Sequence, residues 1–155
     1  MPPRNRLLLV PIAFAVFLLA ACADDAVELK NTVTAYNKMS VEALSKPDAM
    51  VMEFFATPDE ITRIGSYIMF IQKDHRLLIG ELVDIKFTFT EVLSDRKTAQ
   101  VGAKEQWKFH FVDERTRKQI SPLREVAYES RYELVKSSGR WLVDRRSAKE
   151  ISISE

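Results

Sequence analysis

The sequence predicts an α+β fold: N-terminal helices packed on a four-stranded antiparallel sheet. Two observations carry this expectation. Apolar residues recur at helical spacing in the first half of the chain, and from Leu82 onward they alternate every second residue. The two periods are segregated along the chain and do not interleave as they would in a parallel α/β protein. A length of 155 residues suits one domain.

The helical half has three parts. Asp25, with Glu28 three residues on, fits a capping box, and Leu29, Val33, Tyr36, Ser40 and Leu44, joined by Val41, lie on one helical face. Ser45-Lys46-Pro47-Asp48 reads as a stop and a restart, with Pro47 at the new first helical position. Residues 49–56 are apolar on most sides and read as a short buried helix or a core-plugging segment. Thr57-Pro58-Asp59-Glu60 is the clearest local signal: a capping Thr, a Pro at the first position and a Glu at the third. The helix it opens carries Ile61, Ile64, Ile68, Ile71 and His75 along one stripe, widened by Tyr67 and Phe70.

In the strand half, Val83, Ile85, Phe87 and Phe89 alternate with polar residues. After the turn at 94–97, Val101, Ala103, Glu105, Trp107, Phe109 and Phe111 form the second run. Pro122 marks the irregular start of a third strand, in which Val126, Tyr128, Ser130, Tyr132 and Leu134 share a face. Ser137-Ser138-Gly139 makes a tight turn into a last strand over residues 140–147, with Trp141 and Val143 inward. The domain then spans residues 26–149, and 150–155 form a short tail.

Composition excludes several classes. Hydrophobic residues make up 46% and the formal charge is +1, so neither disorder nor nucleic-acid binding is expected. One cysteine excludes an intrachain disulfide. His75 and His110, the two histidines, are too few for a zinc site, and the scattered methionines read as core packing, so no metal is expected.

The first 21 residues stand apart. Arg4 and Arg6 precede the uncharged run 7–21, which is short for a membrane span but has the length and flanks of a secretory signal. It ends in Leu19-Ala20-Ala21-Cys22, which resembles the lipobox of bacterial lipoproteins. The resemblance implies a signal peptide over 1–21, diacylglycerol and an N-acyl lipid on Cys22, and a short linker over 22–25. Ala23 in the next position implies the outer membrane rather than the inner. Removal of 21 residues would leave 134 of the 155 and take two arginines, moving the formal charge from +1 to −1. A linker of three or four residues reaches only about 10–14 Å, so the domain is expected against the membrane surface.

At the other end, Tyr132-Glu133-Leu134, the turn Ser138-Gly139 and Arg140-Trp141-Leu142-Val143 form a hairpin. With the order of elements, it resembles the nuclear-transport-factor-two-like superfamily, which includes ketosteroid isomerase. That resemblance implies a curved, cone-shaped sheet wrapped around the helices. It carries over no catalytic residue, because Asp84 and Asp144 fall in the outward phase.

Strict alternation puts Glu105 inward, among Ala103, Trp107 and Phe109. A buried carboxylate needs a partner, and Arg145, in phase with Trp141 and Val143, is the expected one. Glu105, Trp107, Tyr128, Tyr132, Trp141 and Arg145 are therefore the candidate surface for a small apolar ligand or an envelope partner protein. The expected function is that of a lipid-anchored, non-enzymatic binding or assembly module, with a homodimer through a sheet face as a further expectation. The alternative is a small isomerase or dehydratase that uses an inward acid and a Tyr.

Overall fold

The computed structural model describes residues 10–151, and side chains from residue 25 on. The expected signal peptide and Cys22 fall outside the residues whose side chains are described, and so do residues 152–155 of the expected tail; its first two residues, Glu150 and Ile151, belong to the last strand. In chain order come α1 (Val10–Ser45), a 3-10 turn (Ala49–Met52), α2 (Pro58–Gln72), β1 (Arg76–Val92), β2 (Thr98–Asp113), β3 (Arg124–Ser137) and β4 (Arg140–Ile151). The strands form one antiparallel sheet in the order β1-β2-β3-β4. The helices and the sheet make the α+β arrangement expected from the segregated periods. Among the described residues no helix is long and apolar enough to cross a membrane.

α1 buries Leu29, Val33, Tyr36 and Ala43 against the sheet. Opposite them are Val101, Ala103, Tyr132, Leu134, Trp141 and Val143. The helix runs through Asp25 rather than starting there. That carboxylate instead pairs with Lys136 Nζ at 3.2 Å and accepts from Trp141 Nε1 at 3.5 Å. At the restart, Pro47 is not the first helical position: it precedes the cap, Asp48, which accepts from the Met50 amide at 2.9 Å. The segment after it is only partly core: Met52 is buried, but Met50 and Phe54 are exposed.

Thr57 caps α2 as the sequence indicates, accepting from the Glu60 amide at 3.4 Å, with Pro58 in the first turn. Ile68 and Ile71 are buried. The stripe does not reach His75. The helix ends at Gln72, and His75 sits in the following turn at a positive φ of 52°. Nor do Tyr67 and Phe70 widen the buried face. Both are exposed, and their rings stack on each other with centroids 6.5 Å apart.

β1 starts at Arg76, six residues before its alternation becomes readable. Leu77, Leu78 and Ile79 are consecutive apolar residues, because both faces of the strand are partly covered there. Two bulges follow, at Val83 and Thr88, where the pairing with β2 slips by one residue. Each slip reverses which side chains face in. Ile85 and Phe87 pack against the core as expected, but Val83 and Phe89 are exposed.

A third bulge decides the site. Between Glu133 and Leu134 the register with β4 slips, so Val143 faces Leu134 while Arg145 faces Glu133 and Arg146 faces Tyr132. The slip falls where residues 55–57 pair with the free edge of β4. Val143 N donates to Phe55 O and Thr57 N to Val143 O, each at 2.9 Å. Thr57 Oγ1 then donates to the Asp144 carboxylate at 2.9 Å.

Gly102 is buried beneath Phe89, and a Cβ there would lie 2.2 Å from the ring. Gly102→Ala should therefore lose about 1–3 kcal/mol in urea denaturation, the usual range for overpacking. Adding Phe89→Ala should recover part of that loss, since the Thr88 hydroxyl would still lie 2.6 Å from the new Cβ. An unchanged midpoint in the single variant would mean that the ring does not hold this position.

Candidate functional site

Glu105, on β2, is 1% exposed and is the centre of a polar network in an otherwise apolar interior. Its Oε2 accepts from Arg146 Nη2 at 2.8 Å, Ser130 Oγ at 2.8 Å and Trp107 Nε1 at 3.0 Å. Its Oε1 accepts from Asn37 Nδ2 at 3.1 Å and from the Tyr132 hydroxyl. Tyr132 accepts in turn from Asn37 Nδ2 at 2.8 Å and from Arg146 Nε at 3.2 Å. Five donors thus converge on one carboxylate, which offers about four lone-pair sites.

The electrostatics follow from this geometry. Burial pushes the Glu105 carboxyl up, but the Arg146 charge and the donors from Tyr132, Trp107 and Arg146 outweigh it and hold the group below its ordinary value. Burial raises the Tyr132 phenol, the Arg146 charge pulls it down, and the Glu105 charge adds to the rise, so that it stays protonated. For Arg146, burial works against the charge, but Tyr132 and Glu105 overcome it. The ion pair is charged on both sides across the physiological range.

A second buried carboxylate lies nearby. Glu60 accepts from the Tyr36 hydroxyl at 2.5 Å and from Arg63 Nε at 2.6 Å. Burial, then the Glu60 charge, raises the Tyr36 phenol. The Tyr36 and Tyr132 rings meet edge to face at 5.9 Å, so the two networks share one aromatic contact. Among the described residues no group of His, Cys, Asp and Glu is placed to hold a metal ion.

Above the ion pair lies a cavity of about 330 Å³ to which both helices and all four strands contribute. Its apolar wall includes Val41, Leu44, Leu78, Trp107 and Phe109, with Tyr67 and Tyr128 also lining it. Asn37 and Arg146 present the buried network to the space. The Arg146 guanidinium lies 5.8 Å from the Trp107 ring centre and 6.0 Å from that of Tyr128.

The structure gathers four of the six candidate residues here. Trp107 and Tyr128 line the cavity, and Glu105 and Tyr132 are buried with the Arg146 side chain. Trp141 is buried elsewhere, beside Asp25, with Lys136 Nζ 5.0 Å from its ring centre. Arg145 is not the partner of Glu105. The bulge at Asp144 turns Arg145 outward opposite Glu133, where it is exposed, and brings Arg146 in. Asn37 was missed as well, although it stands four residues after Val33 on the apolar stripe of α1.

Comparison with protein families and with curated proteins finds no match. Solved structures do match. The intermembrane-space region of the chloroplast protein ARC6 superposes with a TM-score of 0.68 at 15% identity, covering 79% of this chain and 95% of that one. A conserved protein from Planctomyces limnophilus superposes at 0.57 and 18% identity, over 83% of this chain and 99% of that one. A ketosteroid isomerase-like protein from Erwinia carotovora atroseptica gives 0.49 and 15%, over 82% and 96%. The likeness is one of fold. At such identity it transfers no ligand and no reaction.

Glu105→Gln and Arg146→Met should each cost about 3–5 kcal/mol in chemical denaturation, because each leaves a buried charge without its partner. The double variant should lose clearly less than the two together. The acid limb of stability should change too. Glu105 has a folded value below the ordinary 4.5, so its contribution is present above that pH and is lost as pH falls below it. Glu105→Gln should flatten that part of the stability profile, and an unchanged slope would show that folding does not lower the proton affinity of this carboxyl.

Proposed function

We propose that this chain is a lipid-anchored module of the bacterial cell envelope whose cavity binds a small apolar molecule. The cavity is the observation that carries the binding part. About 330 Å³ is within the range of small-molecule sites, and an apolar wall with few polar groups is their usual composition. The anchoring part rests on the Leu19-Ala20-Ala21-Cys22 motif after a basic, apolar leader. The fold likeness to a region of ARC6 that lies in an intermembrane space fits an envelope module.

The buried acid argues for binding over isomerase or dehydratase chemistry. A general base must reach a substrate proton with a free lone pair. Glu105 sits below the cavity wall, its acceptor sites taken by five protein donors, and its proton affinity is lowered rather than raised. Its place in the network is that of a counter-ion for Arg146.

Gly80 offers a direct test of the cavity. A Cβ there meets Lys108 O and Val41 Cγ2 at 3.8 Å, ordinary contact distance, and Gly80 lines the cavity, so a side chain added at this position takes up cavity space. In equilibrium dialysis, 2-ethylnaphthalene should bind the full chain, and Gly80→Leu should abolish that binding while the fold is kept. Equal uptake by both proteins would contradict a site in this cavity. For the anchor, Cys22→Ala should stall processing or release the protein from membranes, and metabolic palmitate label should be lost. Unchanged membrane partition and label would count against lipidation.

A further inference from the structure

The polar groups on the cavity wall have a defined chemistry. Arg146 places Nε on Tyr132 and Nη2 on Glu105 and Ser130. Its Nη1 makes no hydrogen bond among the described residues, and the side chain is 26% exposed where it lines the cavity. Two N–H groups therefore remain for whatever enters. The Tyr128 hydroxyl also makes no hydrogen bond among the described residues, and its ring lies 6.0 Å from the Arg146 guanidinium. The Trp107 indole N–H and the Asn37 amide hydrogens are turned to Glu105 and Tyr132 and are not free. Among the described residues no Asp or Glu lines the cavity. The open polar capacity is the Arg146 donor edge with the Tyr128 and Tyr67 hydroxyls, set among apolar side chains.

The charge of that edge is already balanced, since Glu105 lies 2.8 Å behind Arg146. A ligand carboxylate would make two anions around one cation and would lose its own hydration on entering. A neutral oxygen acceptor would take the free N–H groups at a much smaller desolvation cost.

We propose that the cavity selects neutral apolar molecules carrying one acceptor oxygen, of ketone, ester or amide type, which receives hydrogen bonds from Arg146 Nη1 and the Tyr128 hydroxyl. This rests on the binding reading above and deepens it by naming the chemical class of the ligand. The scaffold packs between Leu44, Leu78 and Phe109, and the oxygen points to the sheet.

Three matched probes test the proposal on the full chain: 2-acetylnaphthalene, 2-ethylnaphthalene and 2-naphthoate. Equilibrium dialysis is run with Gly80→Leu as the blank for non-specific uptake. The ketone should bind roughly tenfold or more tighter than the hydrocarbon, the scale of one hydrogen bond to a charged donor. The naphthoate should bind more weakly than the ketone. Tyr128→Phe removes a hydroxyl without touching the buried network and should reduce the ketone's advantage several-fold. The double variant Glu105→Gln with Arg146→Met removes both charges and should erase the ketone's advantage over the hydrocarbon. Equal binding of ketone and hydrocarbon would overturn the acceptor preference and leave the cavity reading standing. Tightest binding of the naphthoate would overturn the preference for neutral ligands. Binding of none of the three above the blank would overturn both this proposal and the binding reading.

Discussion

One constraint organises this molecule: the Glu105 carboxylate, nearly without exposure, must be neutralised and hydrogen-bonded from within. The groups that do so come from four elements. Arg146 is on β4, Ser130 and Tyr132 are on β3, Trp107 is on β2 and Asn37 is on α1. A helix and three strands are thus tied to a single point. A shift of α1 would withdraw Asn37, and a slip of β4 would withdraw Arg146. Apolar packing against Leu29, Val33 and Val101 drives the helix onto the sheet. The polar node adds direction, because its partners fit in one register only.

The network also shapes the cavity. Side chains that donate inward to Glu105 do not extend outward to fill the space above it. Trp107 turns its indole N–H to Glu105, so its ring forms wall, and Gly80 on β1 adds no side chain to the cavity it lines. The Arg146 guanidinium is planar, with one edge in the network and the other toward the cavity. A stability device and part of the cavity wall are then two sides of one residue. This is a different economy from an enzyme built on a buried acid with a raised proton affinity, where the carboxyl itself meets the substrate.

Much of the fold was legible because period and caps are local. Thr57-Pro58 starts α2 where the sequence indicates, and the alternation through Val126 and Leu134 gives the face of β3. Glu105 was legible for the same reason, as an acid in an apolar phase. Its partner was not. Arg145 is the residue that alternation selects, and the bulge at Asp144 replaces it with its neighbour. That bulge lies where residues 55–57 pair with Val143, a contact across more than eighty positions that no local pattern records. The same limit applies to β1, where bulges at Val83 and Thr88 reverse the phase twice. Asn37 was readable in principle, as the polar residue four places after Val33. Glu60 was read only as part of a helix start, since its partner Tyr36 lies in another helix.

The central claim is that Glu105 is a permanently ionised counter-ion, and its own titration tests that most directly. With the side-chain carboxyl carbon of glutamate labelled and Glu105 assigned by its Gln variant, carbon-13 NMR can follow this group as the pH is lowered. The account predicts an ionised shift that persists through 4.5, with any midpoint below that ordinary value. A midpoint at or above 4.5 would show a carboxyl that takes up a proton in the folded protein, and would contradict the account.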